Sequence, residues 1–350
     1  MKHLLRVQHL PLGTCSEHCS KVEQSLFGDG QDQLCPDDLR FCFTDERPDY
    51  DFALRRVGGF VLDNKPLPPA LIDKLPDAIV SLSKRTPPRY GSAVGNYFAI
   101  HYISIPGLIE GDFDRFTSWC LALPKRARLL IHGNMPDNEI DTIDFASRRP
   151  SFWQMLKLIP SATFLSLDCS VYSSGCQCCR AGWFNLSRSI QFCVNARQHG
   201  LPMIPSVGWR TGKDLDRIGD WISLSGDTVS HIAMNSQTGG KCMEIHYQNA
   251  EAIRYISARA MFPIRWVVTG PSVLSTLRPY FKLNPATSFS FVSGRVWQRS
   301  MCRRGIARET KLLTSRKQDY LAKNYRDWLT AIHQLRKEYG GDSQGVLFEL

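Results

Sequence analysis

The sequence predicts an α/β fold: a (β/α)8 TIM-like barrel with an irregular N-terminal extension and a C-terminal basic helix. Eight short apolar runs alternate with eight amphipathic stretches between residues 58 and 305. That span of about 250 residues is the usual size of such a barrel. The apolar runs are continuous, as in parallel strands buried on both faces. A doubly wound open sheet shares the pattern, but a closed barrel accounts for eight repeats without leaving an edge.

Residues 1–57 form the extension, with Gly13, Gly28-Asp-Gly30, Pro36 and a charged run from Asp45 to Asp51. The predicted strands are then Gly59–Asp63, Phe98–Ile105, Leu129–His132, Thr163–Asp168, Met203–Val207, Val229–Met234, Ile264–Thr269 and Ser288–Val292. The predicted helices are Pro69–Lys84, Asp112–Leu123, Phe152–Ile159, Leu186–His199, Gly212–Ser223, Ala250–Met261, Ser272–Phe281 and Val296–Arg304. Leu186, Ile190, Cys193 and Val194 share one helical face, and Leu215, Ile218, Trp221 and Ile222 share another. Asn185 and Asn249 suit N-caps, and Gly200 and Gly305 suit the residue after a helix end. Residues 306–340 carry one long helix, Thr314–Lys337, whose stripe of Leu321, Tyr325, Trp328, Ile332 and Leu335 is read as packing on the barrel. Residues 341–350 are a tail after a Gly-Gly break.

Composition narrows the class. With 43% apolar and 11% aromatic residues among 350, the chain can bury a core, which excludes a mostly disordered protein. No apolar run approaches the ~18 residues needed to span a bilayer. Met1 to Gly13 lacks a long apolar segment of the secretory kind. A cytoplasmic location is therefore expected, with no membrane partner. The twelve cysteines, Cys120 and Cys193 among them, are expected to be mostly free thiols.

The net charge of +10 is localised. Arg295–Lys337 holds 12 basic and 3 acidic residues, and the remaining 31 basic residues face 30 acidic ones. A concentrated basic stretch points to DNA, or RNA, through Arg295, Arg299, Arg303, Arg304, Arg308, Lys311, Arg316 and Lys317. The alternative is a solvated helix face.

Functional side chains of such barrels gather at the C-terminal ends of the strands. That rule nominates Asp63 with Asn64, His132 with Asn134, Asp168 with Ser170 and Tyr172, and Ser206 with Trp209 and Arg210. It also nominates Asn235 with Gln237, Thr269 with Gly270 and Ser272, and Ser293 with Arg295. Asp168 ends an apolar strand, where desolvation would raise its pKa. It would act as a general base or hydrogen-bond a polar ligand; a helix cap or ion-pair role is the alternative. His132 reads as a base, a phosphate donor or a structural residue. Trp209 reads as a stacking platform or a core aromatic. Backbone N–H groups of Thr269-Gly-Pro-Ser272 would hold an anion. The cofactor is left open. Zinc is the metal the cysteines allow, at Cys176/Cys178/Cys179 or at Cys15, Cys19, Cys35 and Cys42 with His18, with free thiols as the alternative. No metal ligand is assigned.

The tail residues Gln344, Leu347 and Phe348 resemble the Gln-x-x-Leu-Phe peptide that docks bacterial replication and repair proteins on the DNA sliding clamp. Two adjacent apolar side chains would fill a pocket while the Gln hydrogen-bonds. Folding back onto an apolar groove is the alternative.

Two related resemblances involve longer stretches. Phe113-Asp114-Arg115 is similar to the motif of an uncharacterised family common on phages and mobile elements. The order Leu167–Tyr172, Leu186-Ser-Arg188, Gly200–Trp209 and Ile264–Gly270 extends that similarity over about half the chain. Leu167-Asp168-Cys-Ser-Val-Tyr172, Val268-Thr-Gly270 and Trp297 to Arg304 also resemble tRNA-guanine transglycosylase-like barrels, especially the deazapurine DNA-modification branch. This resemblance implies a DNA-acting protein whose Asp168 handles a base. It also implies a nucleophilic Asp within 288–293, where the chain reads Ser-Phe-Ser-Phe-Val-Ser, and a zinc cluster after the last strand, where Cys302 stands alone. Two functions are thus expected as alternatives: transglycosylase-like DNA modification, or a non-enzymatic DNA-binding replication or maintenance factor that docks on the clamp.

Overall fold

The computed structural model of the protein describes residues 66–82, 88–169, 179–209, 212–236, 243–305 and 316–340. Nine parallel strands form one sheet: β1 (Ala78–Ser81), β2 (Tyr97–His101), β3 (Arg128–Gly133), β4 (Ala162–Leu167), β5 (Met203–Ile204), β6 (Ser206–Val207), β7 (His231–Asn235), β8 (Arg265–Thr269) and β9 (Ser288–Ser293). Their order is β5-β4-β3-β2-β1-β9-β8-β7-β6. The two ends of that order are halves of one extended stretch, 203–207, interrupted at Pro205. Proline has no N–H to give the ladder, so the stave splits there. The Pro205 carbonyl still accepts from Ala233, and the Pro202 carbonyl accepts from Phe164. The sheet therefore closes into an eight-staved α/β barrel.

Period-two alternation sorts the side chains. Ile79, Ala99, Leu130, Leu165, Ile204, Ala233, Val267 and Val292 form one buried cluster inside the ring. Val80, Phe98, Leu129, Phe164, Met203, Ile232, Trp266 and Phe291 belong to the second, larger core outside it, beneath the helices. One irregularity matters for the site. The β3–β4 register shifts between Ile131 and Gly133. A Cβ on Gly133 would lie 2.9 Å from the Leu167 Cα, so only glycine permits this approach.

The outer layer comprises α1 (Phe113–Leu121), α2 (Asp137–Ala146), α3 (Pro150–Lys157), α4 (Cys179–Gln198), α5 (Gly212–Ser225), α6 (Met243–Arg259), α7 (Leu274–Leu283), α8 (Arg295–Met301) and α9 (Lys317–Glu338). Asp112 caps α1 by accepting from the Arg115 N–H at 3.0 Å. Gly200, at φ +77°, ends α4 as expected, with Leu201 N–H bonded to Ala196 and Gly200 N–H to Arg197. The long helix α9 buries Leu321, Trp328, Ile332 and Leu335. It packs against α7, α8, β1 and a 3-10 turn over Pro88–Val94, as the apolar stripe predicts.

Several expectations are corrected. Residues 69–77 form no helix; they lead into β1, and Pro76, inside the expected helix, opposes it. The strand expected at 59–63 lies outside the described residues. Asn185 and Asn249 lie inside α4 and α6 rather than capping them. The left-handed residue after α8 is Arg303, at φ +52°, and not Gly305. Helix α2 was not anticipated.

The base of the barrel is sealed by 66–77. Leu75 and Ile72 join the interior cluster. Arg265 donates to the Leu75 carbonyl at 2.9 Å and to Ser290 Oγ at 3.2 Å. Asp77 receives Arg336 at 2.7 Å and lies 3.7 Å from Arg265, tying α9 to the same end. Buried Arg197 donates to the carbonyls of Met203, Pro68 and Thr228.

Candidate functional site

The opposite end, at the strand C-termini, is polar. Continuing the inward alternation past the apolar layer brings Ser81 from β1, His101 from β2, His132 from β3, Asn235 from β7 and Thr269 from β8 to one level. Asp168 follows β4 directly. The Thr269 hydroxyl donates to Asn235 Oδ1 at 2.9 Å, and Asn235 Nδ2 donates to Asp168 Oδ2. The chain crosses from β8 through β7 to β4 and fixes both the Asn235 amide and the half-buried Asp168 carboxylate. Behind Asp168, α4 is stapled to α2: buried Arg188 meets Asp141 at 2.6 Å and Asp144 at 3.3 Å. The adjacent Cys169 is buried, which pushes its thiol up to about 12.

Across the mouth, Ser81 Oγ lies 2.9 Å from His132 Nε2. The His101 and His132 rings pack with centroids 4.2 Å apart and planes at 53°. Burial, and then the neighbouring His101, holds the His132 pKa well below the ordinary histidine value, so His132 is neutral at pH 7. Among the described residues, His132 Nδ1 and Asn134 Nδ2 are buried without a hydrogen-bond partner.

Of the sequence-nominated residues, His132, Asn134, Asp168, Asn235 and Thr269 meet at this end. Ser81 and His101 were not foreseen. Ser81 was hidden because β1 was read as helix, and His101 because it was placed within a longer strand; the inward positions Tyr97, Ala99 and His101 were its only cue. Trp209 is half-buried and packs part of its ring against the outer core. The anion cradle at 269–272 is corrected. The Gly270 N–H is taken by the Val292 carbonyl, those of Ser272 and Val273 by Thr276 Oγ1, and Pro271 has none. Ser206 is buried against β4, and Ser293 Oγ accepts from the Arg295 N–H. Ser170, Tyr172, Asp63, Asn64, Arg210 and Gln237 lie outside the described residues.

In the basic stretch, Arg295, Arg303, Arg304 and Lys317 are exposed. Arg299 instead donates to the Gly305 carbonyl at 2.7 Å, and Arg316 pairs with Asp319 at 2.9 Å. Asn324 Nδ2 holds Ser300 Oγ and the Arg304 carbonyl, each at 2.9 Å, which fixes the arginine-bearing turn to α9. Phe113-Asp114-Arg115 is the exposed first turn of α1. Arg308, Lys311, Gln344, Leu347 and Phe348 lie outside the described residues, as do Cys15, Cys19, Cys35, Cys42, Cys176 and Cys178. Among the described residues, no group of three His, Cys, Asp or Glu could hold a metal. Cys120, Cys169, Cys193 and Cys302 are free thiols. No helix among the described residues is long and apolar enough to cross a membrane.

The chain matches no protein-family description and no curated relative. Among solved structures it is similar to a cube-shaped, highly porous protein cage designed by fusing symmetric oligomeric domains. That likeness has 10% identity and a TM-score of 0.36, over 76% of this chain and 75% of that one. It is also similar to the carboxyl transferase domain of Rhizobium etli pyruvate carboxylase, with 9% identity and a TM-score of 0.34, over 79% of this chain and 54% of that one. At these levels neither likeness bears on function, and the barrel assignment rests on the strand order itself.

Proposed function

We propose that the barrel mouth binds a nucleobase and that the protein acts on DNA in the manner of the transglycosylase-like DNA-modification barrels. The observation that carries this reading is the Thr269–Asn235–Asp168 hydrogen-bond chain at the strand C-termini. Asn235 donates to the Asp168 carboxylate and orients it, and the carboxylate so held would accept a ring N–H. Exposed Arg295, Arg303, Arg304 and Lys317 supply phosphate contacts, whose binding would weaken with salt. Asp168→Asn keeps the shape and loses the charge. It should abolish base exchange, read as new nucleosides by mass analysis after incubation with DNA, while salt-dependent DNA affinity persists. Unchanged exchange in this variant would remove Asp168 from the reaction.

A second reading is favoured by β9. Its interior positions are Ser290 and Val292, so this strand offers no carboxylate to form a covalent glycosyl-enzyme. A non-enzymatic DNA-binding factor that docks on the sliding clamp through Gln344, Leu347 and Phe348 needs none. It predicts salt-sensitive DNA binding without new nucleosides, and loss of clamp binding when 344–350 is deleted.

A further inference from the structure

We infer that His132 and Asn134 form a subsite for an uncharged carbonyl oxygen, as in an amide or a lactam, with Ser81 as the positioning residue that fixes the histidine tautomer. This rests on reading the mouth as a ligand site. His132 is 0% and Asn134 5% exposed, and each has a buried nitrogen without a partner among the described residues. A buried unpaired polar group costs about 1–3 kcal/mol, so two together at a strand C-terminus point to a missing ligand atom. The two residues flank Gly133 at the C-terminal end of β3.

The tautomer follows from Ser81. Among the described residues the Ser81 hydroxyl has one partner within reach, His132 Nε2 at 2.9 Å. If the ring donated to the hydroxyl, the serine proton would have no acceptor among the described residues. The serine therefore donates, Nε2 accepts, and the ring proton sits on Nδ1. Nδ1–H and the Asn134 amide are then two uncompensated donors. A carbonyl oxygen has two lone pairs and answers both. An anion is disfavoured: burial and His101 keep His132 uncharged, and the Asp168 carboxylate stands on the neighbouring strand end.

The test uses the full chain with 15N-labelled histidine and three probes: 2-pyridone as neutral lactam, benzoate as carboxylate, and inorganic phosphate. A long-range 1H–15N spectrum at pH 7 should show the Nδ1–H tautomer, with the His132 signal assigned by its loss in His132→Gln. 2-Pyridone should bind and shift that signal, while benzoate and phosphate should not. Asn134→Ala should weaken 2-pyridone about tenfold. Ser81→Ala should weaken it as well, and Ser81→Thr, which restores the hydroxyl, should recover it. The Nε2–H tautomer, no 2-pyridone binding, equal binding of the anions, or an unchanged affinity in Asn134→Ala would each overturn the inference. The tautomer measurement needs no variant beyond the one used for assignment, so a misfolded Ser81→Ala leaves it decisive. Normal 2-pyridone binding in a chain with no DNA affinity would count against the nucleobase reading alone.

Discussion

The two ends of the barrel carry similar polar residues and use them differently. At the base, Asp77 meets Arg265 and Arg336, and Arg197 donates to three carbonyls. Those charges are spent on closing the ring and holding α9. At the mouth, the Thr269–Asn235–Asp168 chain orients a carboxylate, and His132 and Asn134 keep buried nitrogens without partners among the described residues. The contrast separates an end whose charges are paired into the structure from the end that the proposed function assigns to binding, the usual division of labour in this architecture.

The sharpest way to break this contrast is Asp77→Ala. It leaves Arg265 and Arg336 without their carboxylate and should cost about 3 kcal/mol, measured by urea unfolding. Asp168→Asn at the other end should stay within about 1 kcal/mol of the parent. Equal losses would erase the distinction.

Acid should act next most strongly. Burial, with Arg265 and Arg197 nearby, pushes His231 down to about 4. The unfolded chain takes up this proton below about 6.5 while the folded chain refuses it. Stability contributed by His231 is therefore complete above about 6.5 and is lost as pH falls toward about 4, by on the order of 2–3 kcal/mol. His132 and His246 are lowered in the same direction and add to the slope. Urea midpoints at pH 7 and pH 4.5 should differ less in His231→Gln than in the parent.

A smaller effect compares two helix ends. Gly200 and Arg303 occupy the same left-handed position after α4 and α8, with the same pair of backbone bonds. Arg303→Gly should stabilise by up to about 1 kcal/mol in thermal unfolding, and Gly200→Ala should lose about as much. The smallest effect on stability, below about 0.5 kcal/mol, is expected for Arg304→Gln. Under the proposed DNA-binding function its consequence belongs to binding: the slope of log affinity for DNA against log salt should fall by about 1.

Seven of the eight staves were legible in the sequence because each is a short, continuous apolar run between breakers. The first was not. Leu67, Leu71, Leu75 and Ile79 recur every four residues and imitate a helical stripe, yet Leu75 and Ile79 face the barrel interior while Leu71 is 90% exposed. Four prolines, Pro66, Pro68, Pro69 and Pro76, were the countervailing cue. The nominated Asn N-caps failed because an asparagine is also tolerated inside a helix that tertiary packing extends, as at buried Asn249, which donates to Ser236. At the site, strand-end residues such as Asp168 and Asn235 followed from the barrel rule, whereas the link between them needs the curvature of the closed ring. Ser81 could not be found until its strand was.

The stave split at Pro205 has a consequence for the mouth. Where proline withholds its N–H, a side chain from the outer layer bridges the gap: the Ser189 hydroxyl of α4 lies 2.7 Å from the Leu167 carbonyl and 2.9 Å from the Ser206 carbonyl. Asp168 and Asn235 stand on the two staves either side of this split. Asn235 and Asp168 are bonded to each other directly, while the Ser189 hydroxyl ties the residue before Asp168 to the split stave, so a movement of α4 would reach the Asp168 side of the mouth.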